Sequence, residues 1–258
     1  MCQNASCGFA HPASWPHHRG VNQGRGNTVT ARTEMGLTKR CESPSPSSSS
    51  FSSKAQAEVS AVPRPSQTLA HVAGPWLWAH AQQREKAYRD EGDLERAIAE
   101  GQAYLTSFSA AAAAAARAAG ESQVERGRRA LGELHEIARR NRITCGKWML
   151  FFDAERVDAA WEAIATATER GELGDTSKVA TSNSSYANNG TSHLVCVYVQ
   201  DFADRAQVAR VLRRLGELGF RGQRPLQFKT DYMTYLDLYA HNDYHIPVCL
   251  YSSESFTE

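Results

Sequence analysis

The most suggestive chemistry in this sequence of 258 residues lies in a group of tyrosines near its carboxyl end, with Lys229 beside them. The tyrosines fall within a span of 20 residues and are Tyr232, Tyr235, Tyr239, Tyr244 and Tyr251. Side chains alternate between the two faces of a strand, so Tyr235 and Tyr239 would share one face with Met233. Tyrosine rings on an open sheet face can stack on bases while a lysine meets the phosphate. Ordinary core and edge packing of the same rings is the alternative interpretation.

Catalytic and metal-binding patterns give no comparable support. The sequence contains no phosphate loop, no nucleophile elbow and no HExxH motif. His241 and His245 would share a face only on a helix, and their segment follows a predicted strand, so a polar turn is expected there. Cys196 lies in an apolar stretch and is expected to be a small buried residue rather than a nucleophile. We therefore predict no enzyme activity, no cofactor and no metal site.

The charge balance excludes a strongly basic nucleic-acid binder. The chain has 29 Lys and Arg against 28 Asp and Glu, a formal net charge of +1. Residues 141–258 carry 12 basic and 15 acidic residues, net −3, which works against unspecific binding to phosphates. No apolar run is long enough to predict a membrane span, and no amino-terminal pattern predicts a secretory signal. The expected location is cytoplasmic, without membrane association.

Three stretches of the chain differ in composition. Residues 1–70 include Ser43-Pro44-Ser45-Pro46 and are too polar to bury a core, so a disordered Ser/Pro-rich tail is predicted. An organelle transit peptide, rich in Ser with Arg and few acids, is the alternative and would change the location. Residues 71–120 begin with Pro75-Trp76-Leu77-Trp78 and are predicted to continue as a helical, alanine-rich extension. Residues 121–258 are the predicted folded domain.

Within this domain, helical and extended patterns alternate. Apolar residues at helical spacing predict helices over 121–140, 155–170 and 204–218. Runs of β-branched and aromatic residues predict strands over 147–152, 177–181, 194–199, 227–229, 232–239 and 248–251. Because most connections between strands are too short for a crossover, we expect an α+β fold with a mostly antiparallel sheet backed by helices. The predicted core between them contains Trp148, Trp161, Leu194, Val197, Val211, Leu215 and Leu236.

Several short motifs, taken in order, resemble those of a known family. They are Gly146-Lys147-Trp148, Val157-Asp158-Ala159-Ala160-Trp161, Ser177-Lys178-Val179, Val195-Cys196-Val197-Tyr198, Asp201-Phe202-Ala203-Asp204, Lys229-x-Asp231, Thr234-Tyr235-Leu236-x-Leu238-Tyr239 and Leu250-Tyr251-x-Ser253. Together they resemble the uncharacterised family of the basophilic leukaemia-expressed protein over roughly residues 130–258. The resemblance implies a fold similar to translation initiation factor 4E, a curved sheet with helices on its convex side. It also places Lys178 near the position of a phosphate-binding residue.

Two functions from different classes follow. The first is a non-enzymatic binding module for RNA or a nucleotide, in which Tyr235 and Tyr239 stack on bases while Lys178 and Lys229 meet phosphate. The second is a protein-interaction module that docks a partner on the convex helices, residues 155–170 and 204–218. An RNA module predicts lysines beside exposed aromatic rings on the concave face, whereas a partner module predicts an apolar patch on the helices.

Overall fold

The computed structural model describes residues 62–82, 92–108, 110–187, 191–222 and 224–256. Most of the predicted tail, residues 1–61, lies outside the described part of the chain, and so do residues 83–91 after the first strand. No helix of the described residues is long and apolar enough to cross a membrane.

An open antiparallel sheet of six strands organises the described residues. The strands are β1 (Trp76–His80), β2 (Gly146–Phe152), β3 (Thr176–Ala180), β4 (His193–Val199), β5 (Gln227–Thr230) and β6 (Tyr251–Ser252). Their order across the sheet is β1-β3-β4-β2-β5-β6, and every strand pair is antiparallel. This sheet and the helices that cover it confirm the predicted α+β class.

The described part of the chain contains seven α-helices besides the sheet. They are α1 (Ala70–Ala73), α2 (Leu94–Thr106), α3 (Ala110–Ala118), α4 (Gln123–Arg140), α5 (Val157–Glu169), α6 (Arg205–Glu217) and α7 (Asp231–Tyr235), followed by a 3-10 turn at Ser253–Phe256. The Asp204 carboxylate accepts from the Gln207 amide at 3.0 Å and caps α6, as its sequence indicates. Ser122 and Glu125 form a reciprocal capping box at the start of α4.

The core lies between the sheet and the helices. Six of the seven predicted core residues are buried there; the members are Trp148, Trp161, Val197, Val211, Leu215 and Leu236. Trp148 also donates its indole N–H to the Val208 carbonyl at 3.2 Å, which ties β2 to α6. The seventh, Leu194, is only partly buried, because it alternates with Val195 and so points to the other face of β4.

The predicted strand over 232–239 is wrong. The chain turns into α7 directly after β5, and Tyr232 and Met233 are buried with Leu236 at helical spacing. The Tyr232 hydroxyl donates to the Ala97 carbonyl of α2 at 2.6 Å, and Gly101 leaves room for this ring, since a Cβ there would lie 2.3 Å from the hydroxyl. Tertiary contact with α2 therefore overrides the β-propensity of the tyrosines.

Two further elements also differ from the sequence prediction. Trp76–His80 forms edge strand β1 within the stretch that was predicted to be helical. It does so because it pairs with β3, which lies far along the sequence in the predicted folded domain. The last strand is shorter than predicted and covers only Tyr251–Ser252.

Residues just before β1 contact the sheet and α5. The Ser66 amide and hydroxyl both donate to the Asp158 carboxylate, at 2.9 and 2.6 Å. The Ser182 hydroxyl donates to the Ser66 carbonyl at 2.6 Å. This short segment, which the composition grouped with the tail, therefore has defined contacts and leads directly into β1.

Candidate ligand-binding face

The sheet has two unlike faces. One face packs against α5 and α6 and carries core residues such as Trp148 and Val197. We call the opposite face, to which the alternate residues of each strand point, the front face. Cross-strand register places Trp78 opposite Lys178 and Lys178 opposite Cys196. The next row places Tyr198 opposite Lys147, and Lys147 opposite Lys229. Directly paired residues of antiparallel strands share a face, so three lysines from three strands meet on one surface.

Two tryptophans and a lysine form the outer part of the front face. The Lys178 ammonium lies 4.1 Å from the ring centroid of Trp76 and 5.1 Å from that of Trp78. The Tyr198 ring is 5.6 Å from the same ammonium, and the Tyr186 ring packs 4.4 Å from Trp76. These distances fit cation–π contacts. We call Trp76, Trp78 and Lys178 the tryptophan–lysine cluster; the Trp78 side of it is 47% exposed.

Strand alternation explains how β1 builds this cluster. Trp76 and Trp78 are two residues apart, so both point to the front face, while Leu77 and Ala79 between and beyond them turn toward the helices. The Trp-x-Trp spacing was visible in the sequence, and it was the one pattern that could have identified the cluster. Because the stretch from residue 71 to 120 was predicted to be mainly helical, the cluster was not predicted.

A buried ion pair forms the inner part of the front face. The Lys147 ammonium pairs with the Asp231 carboxylate at the start of α7 and also donates to the Thr234 hydroxyl at 3.3 Å. Lys147 is only 7% exposed. Burial lowers the pKa of Lys147, but the charge and hydrogen bond of Asp231 outweigh it, so the pKa is raised overall. Lys147 is therefore a permanent positive charge near neutral pH.

Lys229 is the second buried lysine. It is 4% exposed, and its ammonium donates to the Leu238 carbonyl at 2.7 Å while lying 4.1 Å from the Tyr239 ring centroid. Burial, followed by the positive charge of Lys147, lowers its pKa to about 7. Lys229 thus contacts the predicted stacking residue Tyr239 itself.

The two predicted stacking tyrosines lie at different places. Tyr235 ends α7 and is 45% exposed. Tyr239 lies in the segment after α7, where burial and then Asp237 and Tyr186 raise its pKa. Lys178 and Lys229 do share the front face, and both act electrostatically on the Cys196 thiol between them. The structure therefore brings the two lysines to one surface, with Tyr239 against one of them and Tyr235 on the adjoining helix.

The structure also places Cys196, His241 and His245, which the sequence analysis considered as candidates for catalysis or metal binding. Burial raises the pKa of Cys196 despite three nearby lysines, so its thiol stays protonated near neutral pH. His241 and His245 lie in exposed turns with positive φ, at 62° and 54°. The described residues contain no group of three or more His, Cys, Asp or Glu side chains that could hold a metal ion.

Comparison with known protein families identifies the group to which this chain belongs. The family model of the basophilic leukemia-expressed protein Bles03 matches residues 33–237. The match covers most of the chain, including β1 and the front-face residues of all strands from β1 to β5. The chain is therefore a member of this family, as the motif order indicated.

Proposed function

We propose that this member of the Bles03 family is a non-enzymatic binding module whose front face binds RNA or a nucleotide. In this proposal a base stacks on Trp78, and the Lys178 ammonium meets the adjoining phosphate. The observation that carries it is the tryptophan–lysine cluster, in which an ammonium lies 5.1 Å from a ring that remains 47% exposed. Aromatic rings with neighbouring basic groups are the usual means of holding single-stranded nucleic acid.

The local charge of the front face supports an anionic ligand. Lys147, Lys178 and Lys229 share this surface, and the charge of Lys147 is matched by the Asp231 carboxylate. The region is acidic overall, but its three lysines all lie on this face beside aromatic rings. Because few phosphates would be neutralised, we expect micromolar or weaker affinity at physiological salt.

The roles of the four predicted site residues shift in this proposal. Lys178 keeps its phosphate role, since it belongs to the cluster with the exposed ring. Lys229 is covered and contributes its charge from beneath the surface. Trp78 becomes the principal stacking ring, with Tyr235 on the rim and Tyr239 packed against Lys229.

The exposed apolar residues favour this face over the convex helices. Among the described residues, the large exposed apolar side chains are Leu69, Val72, Trp78, Val124, Phe151 and Tyr235. None of them belongs to α5 or α6, whereas Trp78 and Phe151 both lie on the front face. The partner-docking alternative predicted an apolar patch on those helices. The fold similarity to initiation factor 4E stays a prediction.

A titration of short labelled RNAs, capped and uncapped, tests the proposal by fluorescence anisotropy. We expect Trp78→Ala to weaken binding roughly tenfold, because one stacked base contributes about 1–3 kcal/mol. Val124→Ala is the matched control, since Val124 is also exposed but lies on α4. Absence of binding by the wild type at high protein concentration, or equal losses in the two variants, would overturn the proposal.

A further inference from the structure

Two buried lysines lie in the inner part of the front face, and the carboxylate of Asp231 contacts only one of them. Lys147 and Lys229 are direct cross-strand partners on β2 and β5. The Asp231 carboxylate pairs with Lys147, whereas the contacts of the Lys229 ammonium are a carbonyl and a ring. A carbonyl dipole and an aromatic quadrupole compensate a buried ammonium only in part.

Lys229 is also held in place. The Leu238 carbonyl that accepts from it belongs to a residue buried in the core, and the Leu238 amide donates to the Met233 carbonyl at 2.9 Å. Its ammonium is therefore held by a buried segment, and the residue is only 4% exposed. A buried ammonium that cannot move to solvent relieves its cost by releasing its proton.

Charged and titratable groups approach Lys229 from every neighbouring element. They are Lys147 on β2, Cys196 on β4, Asp231 on α7, Asp237 and Tyr239 after α7, and Cys249 before β6. Burial and then Lys147 lower the pKa of Lys229 to about 7, and Cys249, Asp231 and Asp237 oppose this less strongly. An additional negative charge on the front face would shift this balance toward the protonated form.

We propose that the front face binds its anionic ligand with uptake of a proton, and that Lys229 is the group that accepts it. This inference rests on the proposed function and adds a pH dependence to it. Lys229 acts as a positioning residue from below the surface, since its ammonium supports Tyr239 and adds to the field at the cluster. By linkage, a ligand that favours protonated Lys229 binds more tightly as pH falls from about 9 to 7. One linked proton limits this dependence to about tenfold per pH unit.

Calorimetry of the full chain with a short RNA tests this coupling. The RNA carries hydroxyls at both ends, so its only phosphates are diesters that do not titrate near neutral pH. Binding heats measured at pH 8 in buffers of different ionisation enthalpy give the number of protons taken up. We expect a fraction of one proton at pH 8 and close to none at pH 6, where Lys229 is already charged.

Three variants separate Lys229 from other groups. Lys229→Met should abolish proton uptake, and Lys229→Arg should retain binding without uptake, because the guanidinium stays charged. His80 of β1 is an exposed histidine that also lies on the front face. His80→Gln therefore tests whether this histidine takes up the proton, and we expect uptake to remain unchanged. Melting of each variant is recorded to confirm folding.

The possible outcomes distinguish this inference from the proposed function. Binding by the wild type without proton uptake at pH 8 would overturn the inference while the proposed function stands. Unchanged uptake in Lys229→Arg would also overturn it, and loss of uptake in His80→Gln would assign the proton to the histidine instead. No binding at any pH would overturn both.

Discussion

The two faces of the sheet are built from the same strands, yet they differ in the kind of side chains they carry. On the helix-covered face, Trp148 and Trp161 fill a core with apolar neighbours. On the front face, three lysines lie among aromatic rings, and two of those lysines are buried. The covered face gains stability from burial of apolar area. The front face keeps ionic groups that a purely structural surface would not need, and such groups tend to mark functional sites.

The largest effect that would test this contrast is expected from Trp161→Ala. Trp161 is 1% exposed against the sheet, so its removal should lower the free energy of unfolding by about 3–5 kcal/mol. Urea unfolding followed by circular dichroism measures this loss. Trp78→Ala, on the front face, should cost clearly less in the same assay, because Trp78 is already 47% exposed. Equal losses at the two positions would show that the faces do not differ in this way.

A useful refinement is Trp161→Phe. The indole N–H of Trp161 is buried without a hydrogen-bond partner among the described residues. Phenylalanine retains most of the apolar contact and removes this unsatisfied donor, so it should cost much less than alanine. A loss as large as that of Trp161→Ala would mean that the indole nitrogen matters to the fold.

The second largest effect is expected from the ion pair of the front face. Asp231→Asn leaves the buried Lys147 ammonium without its carboxylate, which should cost about 3 kcal/mol of unfolding free energy. The double variant Lys147→Met with Asp231→Asn should recover most of that loss, because no buried charge remains unpaired. Chemical denaturation of the two variants and the wild type provides the comparison. Additive losses in the double variant would argue that the pair is not coupled.

The covered face was largely predictable because its residues follow patterns within single helices and strands. Asp204 and Gln207 are three residues apart and mark the start of α6, and Val211 and Leu215 repeat at helical spacing below it. Trp161 follows from helical spacing too, and Trp148 and Val197 follow from apolar strands. Leu236 is buried although the strand predicted for it is wrong, and Leu194 was predicted on the wrong face of β4.

The front face was less predictable because its contacts join distant parts of the chain. His80 and Thr176, the partners at the end of β1 and the start of β3, are 96 positions apart. Tryptophan favours strands and the Trp-x-Trp spacing fits one, but the alanine-rich stretch that follows favours a helix, and it is the pairing with β3 that makes this segment a strand. The strand predicted over 232–239 was wrong for the same reason. The hydrogen bond of Tyr232 to Ala97, a residue far away in the sequence, stabilises a helix there instead. Lys178 and Lys229 do lie on one face of the sheet, and their role in ligand binding stays a prediction.

An effect that is smaller over any one pH unit concerns the pH dependence of stability. The pKa of Lys229 is about 7 in the folded chain and 10.5 for an ordinary lysine, so the unfolded chain binds more protons between these values. Stability should therefore rise as pH increases from 7 toward 10.5, by at most about 1.4 kcal/mol per pH unit from this group. The difference in unfolding free energy between wild type and Lys229→Met, measured at several pH values, isolates the contribution. A difference that does not change over this range would contradict the burial of a titrating amine.

The smallest expected effect is on the salt dependence of binding. Lys178→Met removes the ammonium of the tryptophan–lysine cluster but leaves both rings, so RNA binding should weaken several-fold for every sequence. The slope of log affinity against log salt should fall by about one, because one phosphate contact is lost. Arg128→Met is the matched control, since it removes an exposed positive charge from α4. If both variants flatten the salt dependence equally, binding depends on overall charge. If only Lys178→Met does so, the phosphate contact belongs to the front face, and the difference between the two faces of the sheet extends to their function.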